Sequence, residues 1–168
     1  MPRTYEPIAS TTLGTAAQVE FTNIPGTFTD LVLIVQYGVA QANDPLTYRL
    51  NGDSAANYSN TILYGTGSAA GSYRDSGITT GAAGTYYLGA STSNEHVSVI
   101  QIMSYANTNV FKTILEASGS AGKGAERGVS LYRSTSAVTS IKLGANSALS
   151  RNLVSGSTVS LFGIKASA

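Results

Sequence analysis

Residues 21–38 read FTNIPGTFTDLVLIVQYG: a turn at Pro25-Gly26, one acid at Asp30, then an unbroken apolar run from Leu31 to Val35. A strand with one face on a core and one in water alternates apolar and polar side chains. A run without alternation implies that both faces are covered. Two sources can supply the second cover, a neighbouring subunit or another stretch of the same chain.

The same rhythm recurs along the chain. Short apolar or alternating runs at 18–24, 30–38, 47–50, 58–64, 85–89, 97–105, 110–118, 128–133, 138–143 and 158–165 are rich in β-branched and aromatic residues. They are separated by small-residue clusters and predict about ten strands. No window carries an apolar stripe at helical spacing, and Gly or Ser interrupts nearly every place where one could start. Many short strands without helices must close into a barrel or pair as two packed sheets, since an open sheet leaves an apolar face in water. The fold class is all-β, a jelly-roll-like β-sandwich in a single domain. Its expected core is Val19, Phe21, Leu31, Leu33, Val35, Val99, Ile114, Leu131, Ile141, Val159 and Leu161.

Turn chemistry adds detail. Asn51-Gly52 suits the positive φ angles of a tight hairpin, and Pro25-Gly26 a type II turn. The stretch 65–84, GTGSAAGSYRDSGITTGAAG, has only Tyr73 and Ile78 as large aromatic or aliphatic side chains and reads as a long loop. Residues 1–8 read as an N-terminal arm, and 119–128 as a hairpin tip.

At 168 residues, with no linker-like stretch, one domain accounts for the whole chain. Ten Lys plus Arg against nine Asp plus Glu leave a net charge of +1, and only 11% of residues are charged. The basic residues are scattered singly, which argues against a nucleic-acid surface. With no cysteine, neither a disulfide frame nor a thiolate metal site is available. No apolar stretch reaches the ~18 residues that span a bilayer, and MPRTYEPIAS has no apolar leader core, so the expectation is a protein made in a cytoplasm without a membrane partner.

Candidate chemistry is sparse. His96 is the single histidine, so a Ser-His-acid triad would have to use it as base; Glu95 adjoins it, but strand neighbours point to opposite faces, and an ordinary surface or edge histidine is expected. The stretch SGSAGKG at 118–124 lacks the first glycine and the final hydroxyl of a phosphate loop. Asn51, Asp53, Asn57 and Asn60 gather four oxygen-bearing side chains without EF-hand spacing and read as a turn. The nine acids show no paired spacing of the kind a glycosidase uses, although such pairs can be remote in sequence. Tyr86-Tyr87, Tyr58, Tyr64 and Tyr73 supply either an aromatic platform for sugars or core and interface filling. No catalytic, cofactor-binding or metal residue is assigned.

Four features occur in order: a strand ending at Ile24-Pro25, the T-x-T-D-L of Thr27 to Leu31 opening an apolar strand, Asn51-Gly52-Asp53 followed by Asn57-Tyr58-Ser59, and a closing G-S-x-x-x-L-x-G-I-K from Gly156 to Lys165. Together they resemble a widespread group of small virion structural proteins of tailed bacteriophages, including phages of cyanobacteria. The resemblance spans nearly the whole chain, on scaffold positions. It implies a non-enzymatic β-sandwich that works on the particle as a homo-oligomer. The first expectation within it is a capsid cement or decoration protein, expected as a trimer, bound to the major capsid protein on the capsid surface. The alternative is a tail-fibre or receptor-binding module that recognises a host surface glycan.

Overall fold

The computed structural model describes residues 5–165, which form twelve strands and no helix. They are β1 (Tyr5–Thr12), β2 (Val19–Phe21), β3 (Asp30–Tyr37), β4 (Leu46–Leu50), β5 (Tyr58–Gly65), β6 (Ala70–Ile78), β7 (Gly81–Gly84), β8 (His96–Ile102), β9 (Lys112–Ser120), β10 (Gly124–Tyr132), β11 (Ile141–Ala145) and β12 (Thr158–Ile164). An eight-stranded sheet has the order β1-β12-β3-β8-β9-β10-β5-β6, and a four-stranded sheet the order β2-β11-β4-β7. Every ladder is antiparallel. The chain crosses repeatedly between the sheets, whose inner faces share one core: Leu31, Leu33, Val35 and Ile100 from the large sheet meet Leu46, Tyr48, Ile141 and Leu143 from the small one. Each such side chain contributes about 1.5 to 3 kcal/mol of burial. This is the sandwich expected from the strand pattern.

The opening stretch becomes β3, flanked by β12 and β8. Leu31, Leu33, Val35 and Tyr37 point inward and are fully buried. On the outer face Val32, in register between Phe162 and Gln101, is also buried, but Ile34 is 43% exposed. The second face is therefore covered at one end of the strand and open at the other. Of the expected core, Val99 and Leu131 do not belong: Val99 is 42% exposed on the outer face, and Leu131 is only half-buried.

Four assignments change. The stretch 65–84 is not a long loop but holds β6 and β7. Gly81 and Gly84 are small because the small sheet crosses closely there: a Cβ on Gly81 would lie 2.0 Å from the Tyr48 ring, and one on Gly84 2.3 Å from Ser98 Oγ. Residues 5–8 of the expected arm begin β1, which pairs with β12; residues 1–4 lie outside the described residues. Residues 85–89 are not a strand but a turn, closed by Gly89 N–H donating to the Thr85 carbonyl at 2.8 Å. The expected hairpin tip narrows to residues 121–123, because β9 and β10 stay paired to Ser120 and Gly124.

The turn chemistry is right at Asn51 (φ 53°) and Gly52 (φ 67°), where Asp53 N–H donates to the Leu50 carbonyl at 3.0 Å. That turn joins strands in different sheets, so it is a sheet crossing and not a hairpin. At Pro25-Gly26 there is no type II turn. The positive φ, 56°, falls on Asn23 instead.

Eight strands against four leave the large sheet overhanging at both ends. At the β1–β12 end Phe28 lies over Gly163, where a Cβ would come 2.2 Å from the ring. At the β5–β6 end the inner face is covered by tyrosines.

Candidate functional site

Tyr64 and Tyr73 stand on the inner face of β5 and β6, opposite Gly71 and Ile62, beyond the reach of β7. The 85–89 turn brings Tyr86 and Tyr87 onto them. Tyr64 stacks on Tyr87 with ring centroids 3.9 Å apart, and Tyr73 lies 5.9 Å from Tyr87 and 6.1 Å from Tyr86. Tyr87 is 50% exposed and Tyr73 37%. Tyr86 donates its hydroxyl to Asp75 Oδ2 at 3.1 Å, and burial together with that carboxylate pushes its phenol pKa up, so it stays a neutral donor. Of the five tyrosines suggested by the sequence, four meet here. Tyr58 instead sits in the core, stacked on Tyr132 at 4.8 Å.

What holds the turn is a buried carboxyl group. Glu126, on β10 and 2% exposed, accepts the N–H groups of Tyr86, Tyr87 and Leu88 at 2.7, 2.9 and 2.6 Å. Burial raises its pKa, and those three amides act against the rise. Thr85 begins the turn at φ 44°, an unfavourable angle for a β-branched residue. It is pinned there by Ser118 Oγ, which accepts its N–H at 2.9 Å, and by its hydroxyl against Tyr37 at 2.9 Å.

Glu116, on β9, faces the same interior, and its carboxylate oxygens have no hydrogen-bond partner among the described residues. Burial raises its pKa to about 7, opposed by the nearby Ser118 hydroxyl and Arg127 and reinforced by repulsion from Glu126. The two acids lie diagonally across the β9–β10 ladder, Glu116 opposite Gly128 and Glu126 opposite Ser118. Both are nearly inaccessible, at 3% and 2% exposure, and Glu126 is occupied by amides. They are therefore a polar interior that positions the turn rather than an open acid pair.

The outer face of the large sheet has the opposite character. Ile34 pairs with Val99 and Leu115 with Val129, so the outward side chains form an apolar band over β3, β8, β9 and β10, with Leu63 on β5 beyond the exposed Arg127 that pairs with it. Ile34, Val97, Val99, Leu115, Val129 and Leu63 are 42–61% exposed. With strands ~4.8 Å apart, the band is roughly 20 Å wide out to Leu63. Beside these ridges lies a shallow hollow of about 710 Å³ floored by small residues, Ala117, Gly119 and Ala125, and bordered by Arg127.

The remaining candidates resolve as structure. His96 is fully buried, not a surface or edge histidine. Its Nε2 accepts the Ser91 N–H at 2.8 Å, which places the ring proton on Nδ1, and burial lowers its pKa. Glu95 does approach, at 3.7 Å from Nε2, because it precedes β8 and strand alternation does not apply. It accepts the Ser91 hydroxyl at 2.8 Å, so the acid is on the serine and not on Nδ1, which is not the arrangement of a catalytic triad. The oxygens of Asn51, Asp53 and Asn60 are taken by protein donors: Thr139 N–H, Ala55 N–H and Ser130 Oγ respectively. Among the described residues no cluster of three His, Cys, Asp or Glu could hold a metal. Lys123 at the 121–123 tip reaches Asn43 Oδ1 at 3.3 Å.

No family model matches the chain, and no curated protein matches it in sequence. Among solved structures it is similar to the galectin LEC-6 of Caenorhabditis elegans, at 8% identity and TM-score 0.39 over 94% of this chain and 96% of that one. It is also similar to a fructofuranosidase of Schwanniomyces occidentalis complexed with fructose, at 8% identity and TM-score 0.36 over 99% of this chain and 35% of that one. Likenesses at this level bear on neither ligand nor activity.

Proposed function

We propose that the protein is a non-enzymatic structural subunit of a virion, a capsid cement or decoration protein that works as a homo-oligomer, expected to be a trimer, on the outside of a tailed phage's major capsid protein shell. The setting comes from the sequence resemblance. The observation that carries the structural role is the apolar band on the outer sheet face: six large side chains left in water on one surface mark a contact with another protein. Another copy of the chain is the occupant, because a ridge of Leu, Ile and Val and a hollow of Ala and Gly lie side by side on one face, so that the ridge of one copy can fill the hollow of the next around a closed ring. Residues 5–8 and most of 65–84 are paired strands rather than flexible arms, so the band, and not those segments, is the contact proposed.

The test is to mix purified protein with DNA-emptied capsid shells and, separately, with whole host cells. Saturable decoration of shells without cell binding supports the proposal, and cell binding without decoration overturns it. That second outcome would favour the alternative, a tail-fibre or receptor-binding module, for which the exposed tyrosines are the supporting observation.

A further inference from the structure

The tyrosines at the β5–β6 end do more than seal the overhanging sheet. Sealing needs apolar area, which aliphatic side chains on β5 and β6 could provide. Here two consecutive tyrosines are delivered by a turn that keeps a threonine at φ 44° and commits a buried carboxylate to three amides. Both features are unfavourable in themselves and persist only where surrounding structure fixes them, a pattern that concentrates at binding sites. Their effect is that Tyr86 and Tyr87 are held in place before any ligand arrives, which lowers the ordering cost of binding.

The surroundings specify the ligand. Next to Tyr86 is a cleft of about 320 Å³, lined by Gly77, Ile78, Thr79, Thr80 and Ser147. That is at the small end of ligand sites, the size for a single ring. Its lining combines an aromatic face and an aliphatic floor with hydroxyl residues, and the neighbouring rings of Tyr73 and Tyr87 offer flat apolar faces with polar tips. A pyranose matches this, being apolar on its C–H faces and ringed by hydroxyls. Asp75, hydrogen-bonded to Tyr86, adds an acceptor for a sugar hydroxyl and repels an anionic ligand. Arg49, which reaches the cleft wall at Thr79, is turned to protein carbonyls, donating from Nε to Thr79 at 3.1 Å and from Nη2 to Ala148 at 3.0 Å.

We propose that the Tyr73–Tyr86–Tyr87 surface and the cleft beside it form a binding site for a neutral carbohydrate, with a pyranose ring stacked on the exposed tyrosines and its hydroxyls directed to Asp75 and the cleft. The proposal does not rest on the capsid reading, and its test uses no shells. The full chain, labelled with ¹⁵N, is titrated with the methyl pyranosides of glucose, galactose and mannose to about 20 mM, then screened on an array of neutral and acidic oligosaccharides. Saturable shifts confined to residues 73–80 and 86–88 are expected with at least one neutral sugar. Tyr87→Ala and Tyr73→Ala should weaken binding at least tenfold, and Tyr87→Phe should retain it. Both positions are substantially exposed, so unchanged amide dispersion elsewhere verifies folding. Absence of saturable shifts with every neutral sugar overturns the proposal. Binding restricted to acidic glycans, or binding that survives Tyr87→Ala, does so as well.

Discussion

Glu116→Gln tests the polar interior that supports the tyrosine turn. Glu116 is 3% exposed, with neither carboxylate oxygen hydrogen-bonded among the described residues, and its pKa is raised from 4.5 to about 7 by burial. In the folded chain the group therefore holds its proton up to about pH 7, but in the unfolded chain only to about 4.5. Between those values the folded state binds more protons, so stability falls as pH rises from 4.5 to 7 and levels off above. At ~1.4 kcal/mol per pH unit, this displacement is worth about 3 kcal/mol. Glutamine cannot titrate, so the variant loses this slope whatever its amide gains or loses in the site. Burial raises Glu126 too and gives a slope of the same sign; it lowers His96, whose contribution is lost as pH falls below 6.5. Both are common to wild type and variant, so the difference between the two isolates Glu116 apart from its coupling to Glu126. Urea denaturation at half-unit steps from pH 4.5 to 8 reads it directly. The variant should gain about 3 kcal/mol relative to wild type across that range. Parallel stability curves would refute the reasoning, because they would mean that Glu116 is solvated or paired.

Two further outcomes follow from the same interior. Glu126→Ala leaves three amides without an acceptor and should cost about 2 to 4 kcal/mol, with hydrogen exchange accelerated at Tyr86, Tyr87 and Leu88 well before the strands open. Gly81→Ala drives a methyl to 2.0 Å from the Tyr48 ring and should cost about 2 kcal/mol or more, read as a lower denaturation midpoint with unchanged slope.

Strands built from large side chains were legible in sequence; strands built from small ones were not. β3, β5 and β12 stand out because Leu, Ile, Val and Tyr recur in them. β7 is GAAG, fully buried, and its composition is dictated by Tyr48 and Ser98 on neighbouring strands, which no local pattern reveals. Residues 85–89 misled in the opposite direction. Thr-Tyr-Tyr favours strand, but three hydrogen bonds to a carboxylate about forty residues away impose a turn. The meeting of Glu116 and Glu126 depends on the β9–β10 register, and the placement of Tyr64 and Tyr73 over the turn depends on β6 being a strand at all. The unalternating run from Leu31 to Val35 did point to the outer face, and Ile34 marks where the chain leaves it open.

That open face is the centre of the account, and sedimentation velocity tests it most directly. The wild type at micromolar concentration should sediment as an oligomer and remain one in 0.5 M salt, since an apolar contact in a chain of net charge +1 owes little to ion pairs. Val99→Asp combined with Leu115→Asp places two charges in the band at positions that are 42% exposed and outside the core. The double variant should run as a monomer with an unchanged all-β circular dichroism spectrum. A wild type that is monomeric at tens of micromolar, or a double variant that sediments as the wild type does, would contradict it.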